Sequence, residues 1–399
     1  MRLVHIADLH LGYRQYQRLT PGGANQREAD VARAFRRAVD KTISLQPDVV
    51  VLAGDIFHNV RPTNPAILFA FGEFARLTRE LPGATVVMIA GNHDTPRSAD
   101  TGCILRLFAP LGITVVDHTA QRLSFPERNL SILAVPDVGA SRIALTPDPD
   151  ARYNVLLLHG EVQGVLPMSV ASADRAATTI TPEELGAERW TYVALGHYHV
   201  YRRVADTAYY SGSLEYTSPN IWGERSEEER YRIGGKGIIE RDLATGEHKF
   251  HPIEPARALV DLPSISARGL TASDLDSHIC AAVDACEPGG IDDKIVRLIV
   301  RDVPRHIARE LDQHALRSYK RRALSFHLDL RRPEVLRLHG QGAPGRRPSL
   351  ADIVRDKLQS RLLEGDLDRE ALVTLGLKYL ADADSVTATA TAIAEEEAG

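Results

Sequence analysis

The sequence predicts an α/β fold, with a small α+β domain and a helical hairpin behind it, on three observations. Over the first 200 residues short apolar runs alternate with amphipathic helical patterns, the rhythm of βαβ units. Five of the apolar runs end in a burst of polar residues. Beyond about residue 254 the strands and helices become shorter and mixed, and a length of 399 residues itself exceeds one ordinary core.

The strand-like runs are, in order, "LVHIAD" (3–8), "DVVVLAGD" (48–55), "TVVMIAGN" (85–92), "ITVVD" (113–117), "LSILAVP" (130–136), "NVLLLHG" (154–160) and "YVALGH" (192–197). Between the first three, residues 28–45 place Val31, Phe35, Ala38 and Thr42 on one helical face, and residues 64–81 do so for Ile67, Ala70, Phe71, Phe74 and Leu81. At about 100° per residue Phe69 projects the other way, toward Glu73, Arg76 and Glu80, which predicts an exposed aromatic or a subunit contact. Residues 207–253 read as a β-meander of "AYYSGSL", "KGIIERDL", a turn at "ATGE" and "HKFHPI", closing a first domain of residues 1–253.

In the second domain, 254–340, "ARALVDLPSI" and "KIVRLIVRDV" flank a helix at about 273–287, and a helix near 305–321 leads to "ALSFHLDLRRP". "HGQGAPGRRPS" (339–349) has linker composition. Two amphipathic helices are expected within 341–385, one with Leu350, Ile353, Val354, Leu358 and Leu362, the other opening at Asp368 with Leu372, Leu375 and Tyr379. Helices this short need a partner surface. Residues 386–399 are expected to be a disordered tail.

An apolar content of 44% with 25% charged residues is that of a soluble globular protein. Asp8 and His10 interrupt the first apolar run too early for a signal sequence, and no stretch approaches the roughly 18 uncharged residues of a membrane helix. A cytoplasmic protein without membrane association is expected. The three cysteines, Cys103, Cys280 and Cys286, stand at no metal-site spacing and suit a reducing compartment. The net charge of −5 argues against non-specific nucleic-acid binding, but it is uneven: residues 301–347 carry twelve Lys/Arg against five Asp/Glu, and residues 348–399 five against eleven.

The five bursts are "DLH" (8–10), "GDIFH" (54–58), "GNHD" (91–94), "HG" (159–160) and "GHYH" (196–199). All fall where strands end, the edge at which open α/β sheets bind ligands. Carboxylates, an amide and several imidazoles without thiolates form a mixed N/O donor set that suits Mn²⁺, Fe²⁺ or Zn²⁺. Asp8 and His10, and likewise His197 and His199, are spaced i and i+2, which on an extended segment points both to one side. Seven donors exceed one tetrahedral ion and match two ions sharing a carboxylate. Neither a GxSxG elbow nor a GxxxxGK[ST] phosphate loop is present.

The order D-x-H, GD, GNHD, H, GHxH over residues 8–199 resembles the calcineurin-like metallophosphoesterase signature. Within that superfamily "DLHLGY" (8–13), "GDIFHNVRPT" (54–63) and "YYSGSLE" (209–215) resemble the SbcD-type nucleases of double-strand-break repair. The resemblance implies a sandwich of β-sheets flanked by helices, a DNA-capping role for 254–340, and a Mn²⁺-dependent exonuclease or endonuclease. One metal would be held by Asp8, His10 and His199, the other by Asn92, His159 and His197, with Asp55 bridging. His93 would face the scissile phosphate as the catalytic imidazole, oriented by Asp94, and His58 would position the phosphate or the strand end. Arg61 and Asn64 would contact the DNA backbone, as would Arg321 and Arg322 of the basic segment. The partners implied are DNA, a second copy in a homodimer, and an SbcC-like ABC-type coiled-coil ATPase docked on the C-terminal helices. The same metal chemistry also fits a phosphodiesterase or phosphatase acting on a nucleotide or other small phosphate ester. A fold that has lost its metals is disfavoured because no donor position is missing.

Overall fold

Alternate residues of the first strand face two different cores. In β1 (Arg2–Ile6), Leu3 turns one way and Val4 and Ile6 the other. The same division runs through β2 (Val49–Leu52), where Val49 and Val51 oppose Val50 and Leu52. The structure is a computed structural model that describes residues 1–96, 102–137, 144–165, 176–287, 289–333, 350–360 and 368–380. Residues Met1–Pro333 form one unit and Glu334–Gly399 another.

Helix α1 (Gln26–Leu45) starts at Asn25, whose side chain accepts from the Arg27 N–H; α2 (Asn64–Glu80) starts at Thr63, with Pro65 in its first turn. Their apolar faces, with Val31, Phe35, Ala70 and Phe74, cover the outer side of a sheet that continues with β3 (Thr85–Ile89) and β4 (Thr114–Val116). Phe69 departs from expectation: it packs edge-on to Phe35 beneath the Arg36 guanidinium, and Glu73 is buried in ion pairs with Arg36 and Arg76. The exposed apolar residue of this helix is Leu68, at 73%.

The second sheet contains β5 (Gln121–Phe125), an edge strand the sequence reading did not anticipate, then β6 (Leu130–Val135) and β7 (Tyr153–His159). After a short pair, β8 (Glu161–Val162) and β9 (Thr179–Ile180), and the turn of α3 (Pro182–Leu185), come β10 (Tyr192–Gly196), β11 (Arg202–Arg203) and β12 (Ala208–Tyr210). Ile132, Ala134, Val155, Leu157 and Ala194 meet Leu3, Val49, Val51 and Val87 across the sheets, which makes a sandwich. The expected meander over 207–253 is not found. β12 pairs parallel to β10, helix α4 (Ile221–Arg230) intervenes, and the hairpin of β13 (Gly237–Asp242) and β14 (His248–Pro252) joins the first sheet antiparallel to β1. The sheet orders are β14-β13-β1-β2-β3-β4 and β11-β12-β10-β7-β6-β5.

Residues 259–330 build a three-stranded parallel sheet of β15 (Leu259–Ser266), β16 (Ile295–Arg301) and β17 (Ser325–Leu330). It is covered by α5 (Ala272–Asp284), α6 (Arg305–Glu310) and α7 (Gln313–Arg322), around Leu275, Ile279, Leu298 and Phe326. The single helix expected near 305–321 is two, because Asp312 caps a fresh start. Arg18 pairs with Asp293 at 2.6 Å and Arg257 with Asp30 at 2.8 Å, tying this sheet to the sandwich.

In the second unit, α8 (Leu350–Ser360) and helical residues 369–380 touch: Arg369 donates to the Gln359 carbonyl at 2.6 Å. Leu350, Ile353, Leu375 and Tyr379 are exposed on them. The linker 339–349 and the tail 386–399 lie outside the described residues. Among the described residues no helix is long and apolar enough to cross a membrane.

Candidate metal centre

The five bursts meet at one rim, three carried there by β1, β2 and β3 of the first sheet and two by β7 and β10 of the second. The i, i+2 geometry is not the extended one expected. Asp8, His10 and Asp55 have φ of 52°, 48° and 52°, and His197 has 104°. Left-handed backbone is disfavoured for such residues and persists where the surroundings over-determine it. Here the Asp8 N–H donates to the Gly54 carbonyl at 3.1 Å and the His10 N–H to the Asp55 carbonyl at 2.9 Å, so the two loops are laced together.

Asp8, His10 and His199 bring donor atoms within 4.8 Å of one another, as do Asp8, Asp55 and His159. Asp55 Oδ2 lies 3.6 Å from His10 Nε2 and 3.6 Å from His159 Nε2. The Asn92 Oδ1 lies 3.0 Å from His159 Nε2 and 3.3 Å from His197 Nδ1. His10 and His199 face each other through their Nε2 atoms at 2.9 Å. Asp8, His10, Asp55 and His159 are almost completely buried. Asp8 also accepts the His197 N–H at 2.9 Å, joining the two sheets.

The tautomers follow from the outer contacts. His159 Nδ1 lies 2.7 Å from the Ala53 carbonyl, which only accepts, so Nδ1 carries a proton and Nε2 is the nitrogen turned to the centre. That Nε2 faces two oxygens, Asp55 Oδ2 and Asn92 Oδ1. Burial and the neighbouring imidazoles hold His10 well below the usual imidazole range, so it is neutral. Burial pushes Asp8 above the usual carboxylate range, against the pull of His199 and His159. A buried knot of acceptors is costly without cations between them, so the residues present fit divalent ions.

Space, not conformational freedom, explains Gly91 and Gly196. A Cβ on Gly91 would stand 2.1 Å from Asp55 Oδ1 and 2.7 Å from His159 Cε1, and one on Gly196 would stand 1.8 Å from the Ala53 carbonyl oxygen.

His93 and His58 stack at 5.1 Å between centroids, half-buried above His10. Asp94 does not orient His93 as expected. Its two carboxylate oxygens accept the N–H groups of Ile56, Phe57 and Gly91 at 3.0, 2.9 and 3.1 Å, while His93 Nδ1 donates to the His58 carbonyl at 2.7 Å. His58 Nδ1 is 3.3 Å from His10 Nδ1. His10, His58 and His93 also bring ring nitrogens within 4.8 Å of one another.

Arg61 is exposed on the loop after His58, and Asn64 is exposed as the first residue of α2. Arg321 and Arg322 are exposed at the end of α7, with Arg322 paired to Asp292 at 3.0 Å. Two carboxylates at the centre escaped the sequence reading. Glu161 lies 3.3 Å from His197 Nε2, and Glu224 lies 3.5 Å from His199 Nδ1. The charge at position 161 directly after "HG" was a usable signal; Glu224, on a helix that was itself missed, offered none.

Residues 1–220 match the family model described as calcineurin-like phosphoesterase. Among curated proteins, the DNA double-strand break repair protein Mre11 of Methanocaldococcus jannaschii is 26% identical over 261 residues, covering 64% of this chain and 66% of that protein. Its namesake from Methanococcus maripaludis is 28% identical over 269 residues, covering 64% and 66%. That of Sulfurisphaera tokodaii is 30% identical over 257 residues, covering 61% and 60%. The match thus spans less than two thirds of the length of these relatives.

Proposed function

Because this chain belongs to the calcineurin-like phosphoesterase family, we propose that it is a two-metal phosphodiester hydrolase whose substrate is DNA, the nuclease subunit of a double-strand-break processing complex. The observation that carries the reading is Asp55, with one carboxylate oxygen 3.6 Å from an imidazole of each donor group. Asp8, His10 and His199 would hold one ion and Asn92, His159 and His197 the other, with Asp55 shared. The ions, Mn²⁺ in our reading, would stabilise charge on the attacking and leaving oxygens of an in-line displacement.

The remaining residues handle the substrate. With Nδ1 committed to the His58 carbonyl, chemistry at His93 runs through Nε2, which would stabilise the phosphoryl oxygens or protonate the leaving sugar oxygen. His58, stacked on His93, would steady the phosphate. Asp94 would act on the scaffold, holding the Asp55 loop by its amides. Arg61, Asn64, Arg321 and Arg322 would track DNA phosphates.

The larger assembly is part of the proposal. Residues 1–253 would be the nuclease domain and 254–340 the capping domain. Leu350, Ile353, Leu375 and Tyr379 would dock on the coiled coil of an ABC-type ATPase, and a homodimer would form in the cytoplasm. The names of the relatives, which are break-repair proteins, support DNA over a small ester.

The test is cleavage by the purified chain with Mn²⁺. Degradation of linear DNA, alone or with the ATPase, is expected. Hydrolysis of bis(p-nitrophenyl) phosphate with duplex and single-stranded DNA left intact in both settings would move the assignment to a small phosphate ester.

A further inference from the structure

Helix α4 has an unusual inner face. In "IWGERSEEER" only Ile221 of the inward side chains is apolar; the two that follow on that face, at i and i+4, are acidic, Glu224 and Glu228, and both are buried. They enclose Lys236, which is also fully buried. Its Nζ contacts a Glu224 oxygen directly, lies 3.1 Å from Glu228 Oε1 and stands 4.6 Å from the Tyr216 ring centre. The Tyr216 hydroxyl donates to Glu228 at 2.6 Å. Two carboxylates around one ammonium leave a net negative charge in the interior, which is costly unless something cationic sits beside it.

Both ends of this cluster reach one residue. Lys236 donates to the His199 backbone carbonyl at 2.7 Å, and Glu224 Oε1 faces His199 Nδ1 at 3.5 Å. Those two facing atoms are buried and have no other hydrogen-bond partner among the described residues. The carboxylate would therefore keep the proton on Nδ1, leaving the Nε2 lone pair directed at Asp8 and His10.

We propose that Glu224 is a positioning residue for His199, braced by Lys236, which fixes the tautomer and ring orientation of that histidine and so sets the affinity of one ion of the pair. The proposal rests on the reading of His199 as a metal ligand. It accounts for a buried charge cluster that no step of the hydrolysis uses, and it places the excess negative charge against the imidazole that would share an ion's positive charge. Glu228 serves Lys236 and Tyr216 instead and does not face His199.

Mn²⁺ binding to the 399-residue chain, followed by titration calorimetry and by the spin-coupled EPR signal of an ion pair, tests this. Glu224→Gln keeps the shape and is expected to weaken one of the two sites by about 10–100-fold and to remove the coupled signal at low Mn²⁺, with the other site held. Glu228→Gln, which takes the second carboxylate from Lys236, is expected to change both affinities by less than about twofold. Should the Glu224→Gln variant not fold, Glu224→Asp keeps the charge but withdraws it from His199 and carries the same expectation. Parent-like binding after substitution of Glu224, or equal weakening by Glu228→Gln, would overturn the proposal. His199→Ala separates the two readings: if it too leaves both sites intact, the ligand assignment fails before the positioning role does.

Discussion

The carboxylate of Asp94 holds the backbone N–H of Phe57 at 2.9 Å, and with it the N–H of Ile56 at 3.0 Å. The "GNHD" turn is thereby bolted to the loop that presents Asp55. Asp94→Ala would leave three buried amides unsatisfied, and we expect a loss of about 3 kcal/mol from the metal-free protein together with weaker metal binding. Urea unfolding in chelator, compared with His93→Ala, checks this. A parent-like midpoint for Asp94→Ala would show that the bonds add nothing.

His93→Ala should behave in the opposite way. Stability and both ions are expected to remain while phosphodiester cleavage falls by about 10²–10⁴-fold. Asn92→Ala, one residue earlier, should instead weaken the ion shared with His159 and His197. Loss of an ion from His93→Ala would mean that the cluster of His10, His58 and His93 binds metal itself.

Gly91→Ala should damage the centre without touching a donor atom. The added methyl must displace Asp55 or His159, a strain of about 1–3 kcal/mol. Denaturant midpoint and Mn²⁺ affinity should fall together; an unchanged affinity would contradict the close packing of these three residues.

Acid should destabilise the sandwich through His5. Burial, and then the neighbouring His248, lower its pKa from 6.5 to about 3. The folded state therefore binds this proton less readily than the unfolded chain, and the stability due to neutral His5 is present above 6.5 and is lost as pH falls toward 3. At pH 5 the loss is about 2 kcal/mol. His5→Gln should flatten the stability profile of the metal-free protein between pH 7 and 5 by that amount, measured by urea unfolding at each pH.

Arg321→Ala with Arg322→Ala should weaken DNA binding and reduce its salt dependence, by a slope of about 0.9 for each phosphate no longer neutralised. Small-ester hydrolysis should not change. Equal salt slopes for variant and parent would remove both residues from the DNA surface. Because Arg322 also pairs with Asp292, a stability control belongs beside this measurement.

The sequence exposes the strands and the polar bursts that end them because both are local patterns: short unbroken apolar runs and clustered donors are visible within ten residues. What it hides depends on partners distant in the chain. "AYY" at 208–210 is as good a strand for one sheet as for the other, and only pairing with β10 decides. Helix α4 shows no apolar stripe because, beyond Ile221, its inner face is received by Lys236 and not by a hydrophobic surface. Asp94 stands next to His93 in sequence, but the turn aims it at the Asp55 loop. The left-handed backbone at Asp8, His10 and Asp55 is likewise imposed by the lacing of two loops rather than encoded by residue type.

Anomalous diffraction from crystals of the Mn²⁺-loaded chain tests the central claim most directly. Two manganese peaks are predicted on either side of Asp55, one among Asp8, His10 and His199 and the other among Asn92, His159 and His197. A single peak, or a peak among His10, His58 and His93 in place of either, would contradict it.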